Sequence, residues 1–387
     1  MKKTTTTTTI TTMTLTMTTM MLPFMERLHV LGSGSIGLLF GSSIRIAFPS
    51  YPITMLLRPH HENRLSGNGT IDDNEATSLR KQGATTTTKQ WMQVCVTDLQ
   101  GRPRLCRIRA ELIPSTNVQQ PNDTKDTASV RTTPLQLSRQ SPIQNLILST
   151  KAPDAVDALR SIQHRLMDHP RIIILCNGAL ALRDQVQDYL QQEQIPHTLT
   201  LASTSHGVYR DDDDDDDDEM YHVVHAGIGK TFVENDGPLA QLWDQSGLVA
   251  KSLDTNAMKA LLWQKLAANC VINPLTALLD CSNGQILHHD KGGLYYQEMA
   301  PRVLEELVNV ANKDGVELEL DTTKEFVQQV VEDTQDNISS MRQDVMQGRR
   351  TEIDYLNGYV VRRGLATGVD TPANAELVER VRSLSSS

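Results

Sequence analysis

Three polar side chains lie at helical spacing between residues 258 and 276, in the segment MKALLWQKLAANCVINPLT. Alanine, leucine, methionine and lysine favour a helix here, and Lys265, Asn269 and Asn273 then fall on one stripe because they are four residues apart. Apolar residues flank this stripe, so one ammonium and two amides need hydrogen-bonding partners. A polar ligand would supply them. The alternative is that the lysine extends to water and the asparagines bond to neighbouring backbone.

A glycine-rich turn carries a second set of residues with chemical potential. The apolar run 28–31 leads into the sequence GSGSIG, and an apolar helix-like run follows. This order of strand, GxGxxG and helix is the context of a dinucleotide-binding turn, in which Gly32 permits the tight turn, Gly34 admits a pyrophosphate and Gly37 allows close packing. The helix N-terminus would attract the phosphates. A purely structural turn is the alternative. The expected cofactor-binding residues of this turn are Gly32, Ser33, Gly34, Ser35, Ile36 and Gly37.

Three further polar side chains follow strand-like apolar runs. Arg58 follows residues 53–57, Lys151 follows 146–150 and Asn177 follows 172–176. Ligands bind at the carboxyl ends of strands in open parallel sheets, so these side chains should share one edge. An acid after the second strand would suit the ribose hydroxyl of NAD, whereas an arginine suits a 2′-phosphate. Arg58 therefore favours NADP, with a plain surface arginine as the alternative.

Composition excludes several classes of protein. With 387 residues, the chain can form two domains with substantial cores. The net charge is −10, but Asp211 to Asp218 contribute eight negative charges, so the remainder carries only −2. No basic stripe appears, and nucleic acid is therefore not expected as a partner. The five cysteines are unclustered and lack a CxxC spacing, which indicates reduced thiols and no metal site.

Three segments depart from an ordinary folded composition. Residues 1–25 are rich in threonine and methionine and lack acids, as in an organellar transit peptide or a disordered low-complexity leader. They contain no apolar run of membrane-spanning length, so we expect a cytoplasmic protein, or one imported into a mitochondrion or plastid. Residues 66–141 resemble an insertion or expanded loop around the β-patterned runs 91–97 and 105–113. The aspartate run suits a solvated hairpin tip better than a calcium loop.

From residue 251 onward, the pattern predicts helices and no strands. The segments 294–313, 323–347 and 351–364 carry apolar residues at helical spacing. The last of these begins with Thr351-Glu352-Ile353-Asp354, a capping-box pattern. We therefore expect an α/β fold in which a dinucleotide-binding domain over residues 26–250 precedes an all-helical domain over 251–387, with a hinge near residues 248–256.

The order of these motifs resembles the ketopantoate reductase (2-dehydropantoate 2-reductase) family. The resemblance covers roughly residues 26–65 and 142–375, and it implies a Rossmann-type domain followed by a helical domain like the C-terminal domain of 6-phosphogluconate dehydrogenase. It also implies NADPH-dependent reduction of ketopantoate to pantoate in pantothenate (vitamin B5) and coenzyme A biosynthesis. The segments that carry the resemblance are GSGSIG, Arg58, Lys151, CNG at 176–178, LWQKLAANCVINPLTAL at 262–278, NISSM at 337–341 and TEIDY at 351–355.

The resemblance also implies roles for individual residues. Lys265 would be the general acid, Asn269, Asn273 and Ser340 would hold the substrate, and Glu352 would support the site. Lys151 and Asn177 would lie near the cofactor, with Arg58 at its 2′-phosphate.

The chemistry of these residue types agrees with the implied roles. Hydride transfer to a ketone leaves an alkoxide that an ammonium can protonate without a metal. A carboxylate at Glu352 near Lys265 would stabilise the charged amine. We expect a small-molecule substrate, no membrane partner, and a monomer or homodimer. The alternatives are a reductase of another 2-oxo acid and a non-catalytic NADP-binding scaffold.

Overall fold

A computed structural model of the chain describes residues 26–58, 65–66, 91–113, 141–211, 220–288 and 293–384. The leader at 1–25 and all but the first residue of the aspartate run lie outside the described residues, and the predictions made for them stay predictions. Among the described helices, none combines the length and the apolar character that crossing a membrane requires.

Strands and helices alternate in the first part of the chain, and helices dominate the second. The strands are β1 (Leu28–Leu31), β2 (Ile53–Leu57), β3 (Leu65–Ser66), β4 (Trp91–Thr97), β5 (Pro103–Leu112), β6 (Ile143–Leu148), β7 (Leu166–Leu175), β8 (Thr198–Thr204), β9 (Gly207–Arg210), β10 (Met220–Gly227), β11 (Thr231–Glu234) and β12 (Ala250–Leu253). The α-helices are α1 (Ser35–Ala47), α2 (Ala152–Ile162), α3 (Ala179–Gln192), α4 (Gly237–Gln245), α5 (Thr255–Leu279), α6 (Gly293–Lys313), α7 (Leu320–Asp333), α8 (Ser340–Met346), α9 (Asn357–Thr367) and α10 (Pro372–Leu384).

All the described strands belong to one sheet, in the order β12-β11-β8-β7-β6-β1-β2-β5-β4-β10-β9, with β3 paired to β4. The six neighbours from β8 to β5 are mutually parallel. Counted along the chain, these six strands have the order 3-2-1-4-5-6, which is that of dinucleotide-binding folds. The strand order reverses between β1 and β6, and ligands bind at such a reversal. The predicted Rossmann-type α/β fold is confirmed.

The two faces of the sheet bury different helices. Because side chains alternate along a strand, Val30 and Ile147 point to one face, where α1 and α4 pack, while Leu31 and Leu148 point to the other. The second face shares one continuous apolar core with α2, α3 and the helices that follow β12. Packing therefore joins the helical half to this second face of the sheet.

Two predictions about the sheet are wrong. The β-patterned part of residues 66–141 is not an insertion or expanded loop, because β5 pairs with β2 as the third parallel strand of the sheet, and β4, which precedes β5, pairs with it antiparallel. The β pattern of residues 105–113 is visible in the sequence, but the pairing of this strand with β2 is a tertiary contact that no local pattern predicts. The proposed hinge at residues 248–256 contains β12, which pairs with β11, so a strand does follow residue 250.

The predicted helix over residues 323–347 is two helices, α7 and α8. Helix α7 ends at Asp333, and α8 begins at Ser340. Ser339 caps α8, because its hydroxyl accepts a hydrogen bond from the Arg342 amide at 3.1 Å. The same hydroxyl bonds to Thr276 Oγ1 of α5 at 2.6 Å. A tertiary hydrogen bond thus decides where the second helix begins.

Helix α5 does not end at the Asn273-Pro274 pair but continues through Pro274 to Leu279. A proline inside a helix leaves the carbonyl four residues earlier without its usual donor. That carbonyl belongs to Cys270, and the Asn357 side chain donates to it at 3.0 Å. The same amide also donates to Asn374 Oδ1 at 3.0 Å. A side chain from α9 therefore replaces the backbone bond that proline removes.

Because Asn357 compensates for Pro274, Asn357→Ala should lower the free energy of unfolding by about 1–3 kcal/mol, the cost of an unsatisfied buried polar group. In the Pro274→Ala background the backbone amide returns and the same change should cost clearly less. Denaturant unfolding of the four proteins in this double-mutant cycle measures the coupling. An equal cost in both backgrounds would contradict the assignment.

Candidate active site

The glycine-rich turn between β1 and α1 has the geometry that the motif predicts. Gly32 has φ of 125°, and a Cβ there would lie 2.7 Å from the Thr150 nitrogen. A Cβ on Gly37 would lie 2.1 Å from the Gly32 oxygen, whereas one on Gly34 would meet no atom within 4 Å. Two of the glycines therefore allow close packing, and the third leaves open space beside the turn.

The N-terminus of α1 faces this open space. Gly34 occupies the N-cap position, so no side-chain hydrogen bond caps the helix, and the first turn contains no acidic residue. The first helical hydrogen bond runs from the Leu38 amide to the Gly34 oxygen at 3.0 Å. The amides of Ser35, Ile36 and Gly37 precede that bond and are suited, with the helix dipole, to bind an anion.

The three strand-end side chains lie at the carboxyl edge of the parallel strands, as expected. Arg58 follows β2 and forms an ion pair with Asp154 at 3.4 Å, in which both side chains are about half exposed, at 48% and 49%. Lys151 follows β6 and occupies the N-cap position of α2. Asn177 lies between β7 and α3.

A small cavity lies where this edge meets the helical half. Lys265 and Asn269 of α5 line it, together with Asn177, which follows β7. Gly178 has φ of 66°, and a Cβ there would lie 2.7 Å from the Tyr355 Cβ, so the two halves touch closely at this point. The remaining lining residues are Cys176, Gly178, Ala179, Leu180, Leu262, Leu266, Tyr355 and Leu356.

The Lys265 ammonium is held at the end of β8. Its Nζ donates to the Thr204 carbonyl oxygen at 2.8 Å and has a longer contact of 3.5 Å with Ser203 Oγ. Burial lowers the pKa of Lys265, and electrostatic interaction with Cys176 and Glu352 acts in the opposite direction. An amine with a lowered pKa gives up its proton more readily.

Glu352 is buried, with 8% of its surface exposed, and its hydrogen bonds go to the sheet half. Its Oε1 accepts from the Ala152 amide, the first residue of α2, at 3.2 Å. Burial raises the pKa of Glu352, and hydrogen bonds from Ala152 and from the Asn177 side chain, together with the charge of Lys151, oppose that rise. A carboxylate at a helix N-terminus is favoured by the dipole.

One expectation about the segment around Glu352 is wrong, and another is supported. The capping box at residues 351–354 does not form, because neither the short 3₁₀ helix over Ile353–Tyr355 nor α9 has a side-chain cap. Glu352 instead caps α2, which is distant in sequence. The expectation that Glu352 stabilises the charged form of Lys265 is supported, because electrostatic interaction with Glu352 raises the Lys265 pKa. The hydrogen bonds of the ammonium go to Thr204 and Ser203 and not to this carboxylate. Its influence on Lys265 is electrostatic and acts over a longer distance.

Two other expected substrate-binding residues do not line the cavity. Asn273 lies one helical turn beyond Asn269 and is buried at 8% exposure. Ser340 is exposed at the first position of α8. The adjacent Ser339 is the buried serine of the pair, and it is occupied by its bond to Thr276.

Sequence reasoning missed two groups at this site. The Thr204 carbonyl, which accepts a hydrogen bond from Lys265, is a backbone group, so the residue type at position 204 does not reveal it. Asp344 of α8 is buried and accepts from the Lys151 ammonium and from Arg349 Nε, the latter at 2.9 Å. An aspartate in a short helix is unremarkable in sequence, and only the tertiary contacts single it out.

Comparison with known proteins agrees with this geometry. The family model described as "Ketopantoate reductase PanE/ApbA" matches residues 28–237, and that described as "Ketopantoate reductase PanE/ApbA C terminal" matches 257–385. The 2-dehydropantoate 2-reductase of Shigella flexneri is 34% identical over 245 residues, which are 61% of this chain and 73% of that protein. That of Vibrio cholerae is 29% identical over 274 residues, 65% of this chain and 86% of that protein.

Solved structures share the fold at low identity. A PanE/ApbA family ketopantoate reductase from Ralstonia eutropha JMP134 superposes with a TM-score of 0.67 at 21% identity, covering 93% of this chain and 99% of its own. A D-mandelate dehydrogenase, in a ternary structure with NADH and anilino(oxo)acetate, has a TM-score of 0.66 at 18% identity with the same coverage. With both family models matched in order along the chain, this protein belongs to the ketopantoate reductase family.

Proposed function

We propose that the chain is an NADPH-dependent 2-dehydropantoate 2-reductase, which reduces ketopantoate to pantoate for pantothenate and coenzyme A biosynthesis. The observation that carries this proposal is the position of Lys265, an ammonium that lines a small cavity between a dinucleotide-type sheet edge and a helical half. Residues 26–250 would bind the cofactor and residues 251–387 would supply the proton and the substrate contacts.

Lys265 is suited to act as the general acid. The nicotinamide, when bound, supplies a hydride to the carbonyl carbon of the substrate. The negative charge that develops on the carbonyl oxygen then requires a donor. An ammonium has three N–H groups, and the Thr204 carbonyl and Ser203 Oγ engage at most two of them. The third can polarise the substrate oxygen and deliver the proton.

The cavity lining suits a short branched acid. Leu180, Leu262 and Leu266 form an apolar wall for the methyl groups of ketopantoate, while the Asn269 amide can bond to its carboxylate or hydroxyl. Asn273 and Ser340 would complete the substrate contacts. Because Ser340 is exposed at the start of α8, its participation requires the cleft to close on the bound substrate.

The cofactor would lie at the carboxyl edge of the sheet. The open space beside Gly34 and the uncapped amides of α1 suit the pyrophosphate. Arg58 would bind the 2′-phosphate, since its exposed ion pair with Asp154 is weak and easily exchanged. Lys151 and Asn177 would contact the cofactor nearer the cavity.

For the assembly we propose a monomer or homodimer; a ketopantoate reductase of Staphylococcus aureus with this fold is described as dimeric.

Purified protein should oxidise NADPH with ketopantoate, with a higher kcat/KM than with 2-oxoisovalerate or pyruvate. Lys265→Ala should lower kcat by about 10²–10⁴-fold, the usual contribution of a general acid, while NADPH binding survives. Steady-state kinetics and a cofactor titration measure the two effects.

The matched control is Lys259→Ala on the same helix, where the lysine donates to the Asp314 carbonyl instead of lining the cavity. That variant should keep its kcat. Wild-type turnover in Lys265→Ala would reject the general acid, preference for another 2-oxo acid would favour a related reductase, and the absence of any turnover would favour a non-catalytic scaffold.

Arg58→Asp should raise the KM for NADPH by about tenfold or more and leave the KM for NADH almost unchanged, because only NADPH carries the 2′-phosphate. Arg160→Asp is a suitable control, since Arg160 is exposed on α2 and pairs with Asp157. An equal effect on both cofactors would remove Arg58 from the 2′-phosphate site.

Glu352→Gln should move the alkaline limb of the pH profile of kcat/KM to lower pH. The Glu352 carboxylate opposes the lowering of the Lys265 pKa, so its neutralisation lets that pKa fall further and the proton donor is lost earlier as pH rises. Asp354→Asn, which removes an acid that pairs with Arg382, should leave the limb in place. An unshifted limb in Glu352→Gln would show that the two groups are uncoupled.

A further inference from the structure

One ion pair connects the two halves of the protein beside the proposed cofactor crevice. Lys151 follows β6, and its ammonium pairs with the Asp344 carboxylate of α8, 193 positions further along the chain. The preceding residue, Thr150, lies against Gly32 of the glycine-rich turn. Lys151 is therefore the residue next to one that contacts the glycine-rich turn. It lies where the strand order reverses, between β1 and β6.

The two partners differ in their access to solvent. The Asp344 side chain is 4% exposed, whereas that of Lys151 is 43% exposed. A long, half-exposed lysine can move to another anion at small cost, but a buried carboxylate that loses its only cation is strongly destabilised. Release of Lys151 from Asp344 thus depends on whether Asp344 keeps another partner.

Arg349 provides that second partner. Its Nε donates to Asp344 Oδ1 at 2.9 Å, and its Nη2 lies 2.9 Å from the same oxygen. Arg349 is 48% exposed and comes from the loop after α8. Lys151 and Arg349 therefore converge on one carboxylate oxygen, although one cation would be enough to neutralise it.

The position of α8 is independently anchored, so Asp344 need not rely on Lys151 to stay in place. Ser339 caps the helix and bonds to Thr276 of α5. The Glu352 carboxylate also lies within electrostatic range of both Lys151 and Asp344. Lys151 thus faces two carboxylates of the helical half, those of Asp344 and Glu352.

We propose that Asp344 is a positioning residue that competes with a bound nicotinamide dinucleotide for Lys151, while Arg349 keeps Asp344 paired when Lys151 moves to the cofactor. The inference rests on the proposed function, because the competing anion is the phosphate or ribose oxygen of that cofactor. Cofactor affinity is then set by an exchange of partners as well as by direct contacts.

The exchange makes opposite predictions for the two partners of Asp344. Asp344→Asn removes the competitor for Lys151, so the Kd for NADPH should fall about threefold to tenfold. Arg349→Gln makes the release of Lys151 more costly, so the Kd should rise by about threefold or more. Both effects should vanish when Lys151→Ala is added, because they act through that lysine.

Isothermal titration calorimetry with NADPH and NADH at fixed salt measures these values for the single and double variants. Arg342→Gln is the control, since Arg342 is on α8 but pairs with the exposed Asp280, and its Kd should match that of the wild type. The double-mutant cycle of Lys151→Ala and Arg349→Gln changes only half-exposed side chains. It therefore still tests the exchange if the Asp344→Asn variant does not fold.

A lower Kd for Asp344→Asn and a higher Kd for Arg349→Gln, both abolished by Lys151→Ala, would support the exchange. Weaker binding in Asp344→Asn, or an Arg349→Gln effect that persists with Lys151→Ala, would overturn it and assign these residues a direct or purely structural part in binding. If the wild-type protein binds neither NADPH nor NADH, the proposed function fails and the exchange fails with it. Binding by the wild type without coupling rejects the exchange alone.

Discussion

The buried carboxylate of Glu352 imposes the main constraint on how the two halves meet. A carboxylate with 8% exposure must find donors, and the donors available to it are the Ala152 amide at the start of α2 and the Asn177 side chain after β7. Both belong to the edge of the sheet where parallel strands end. The helical half is therefore docked on the edge at which a dinucleotide-type fold binds its ligands, and the cavity forms at that junction.

Close backbone approach reinforces the same junction. Gly178 lies against Tyr355, the last residue of the 3₁₀ helix, and the side chain of any larger residue at position 178 would collide with it. Lys265 then reaches across to the Thr204 carbonyl at the end of β8. Three separate strand ends thus contact the helical half through one amide, one glycine and one carbonyl, and none of these groups depends on an exposed salt bridge.

The helix that carries Lys265 and Asn269 requires its own support. Pro274 removes one backbone hydrogen bond from α5, and Asn357 replaces it from α9. Helix α5 therefore continues past Asn273 to Leu279, and α8 is attached beside it by the Ser339–Thr276 bond. These contacts explain why polar residues recur in a core that is otherwise apolar: each satisfies a group that the helix packing would leave without a partner.

The sequence by itself determined the features whose physical causes are local. Glycine spacing, apolar runs and helical periodicity predicted the turn at residues 32–37, the parallel strands that end at Arg58, Lys151 and Asn177, and the stripe on α5, because steric limits and burial patterns act over a few residues. Tertiary structure alone decided that β5 joins the sheet, that Glu352 caps α2 instead of its own helix, that Ser340 is exposed, and that Asp344 holds Lys151. Each of these depends on a hydrogen bond, ion pair or strand pairing between residues about fifty to two hundred positions apart, or on its consequences, and such contacts leave no periodic pattern in the chain.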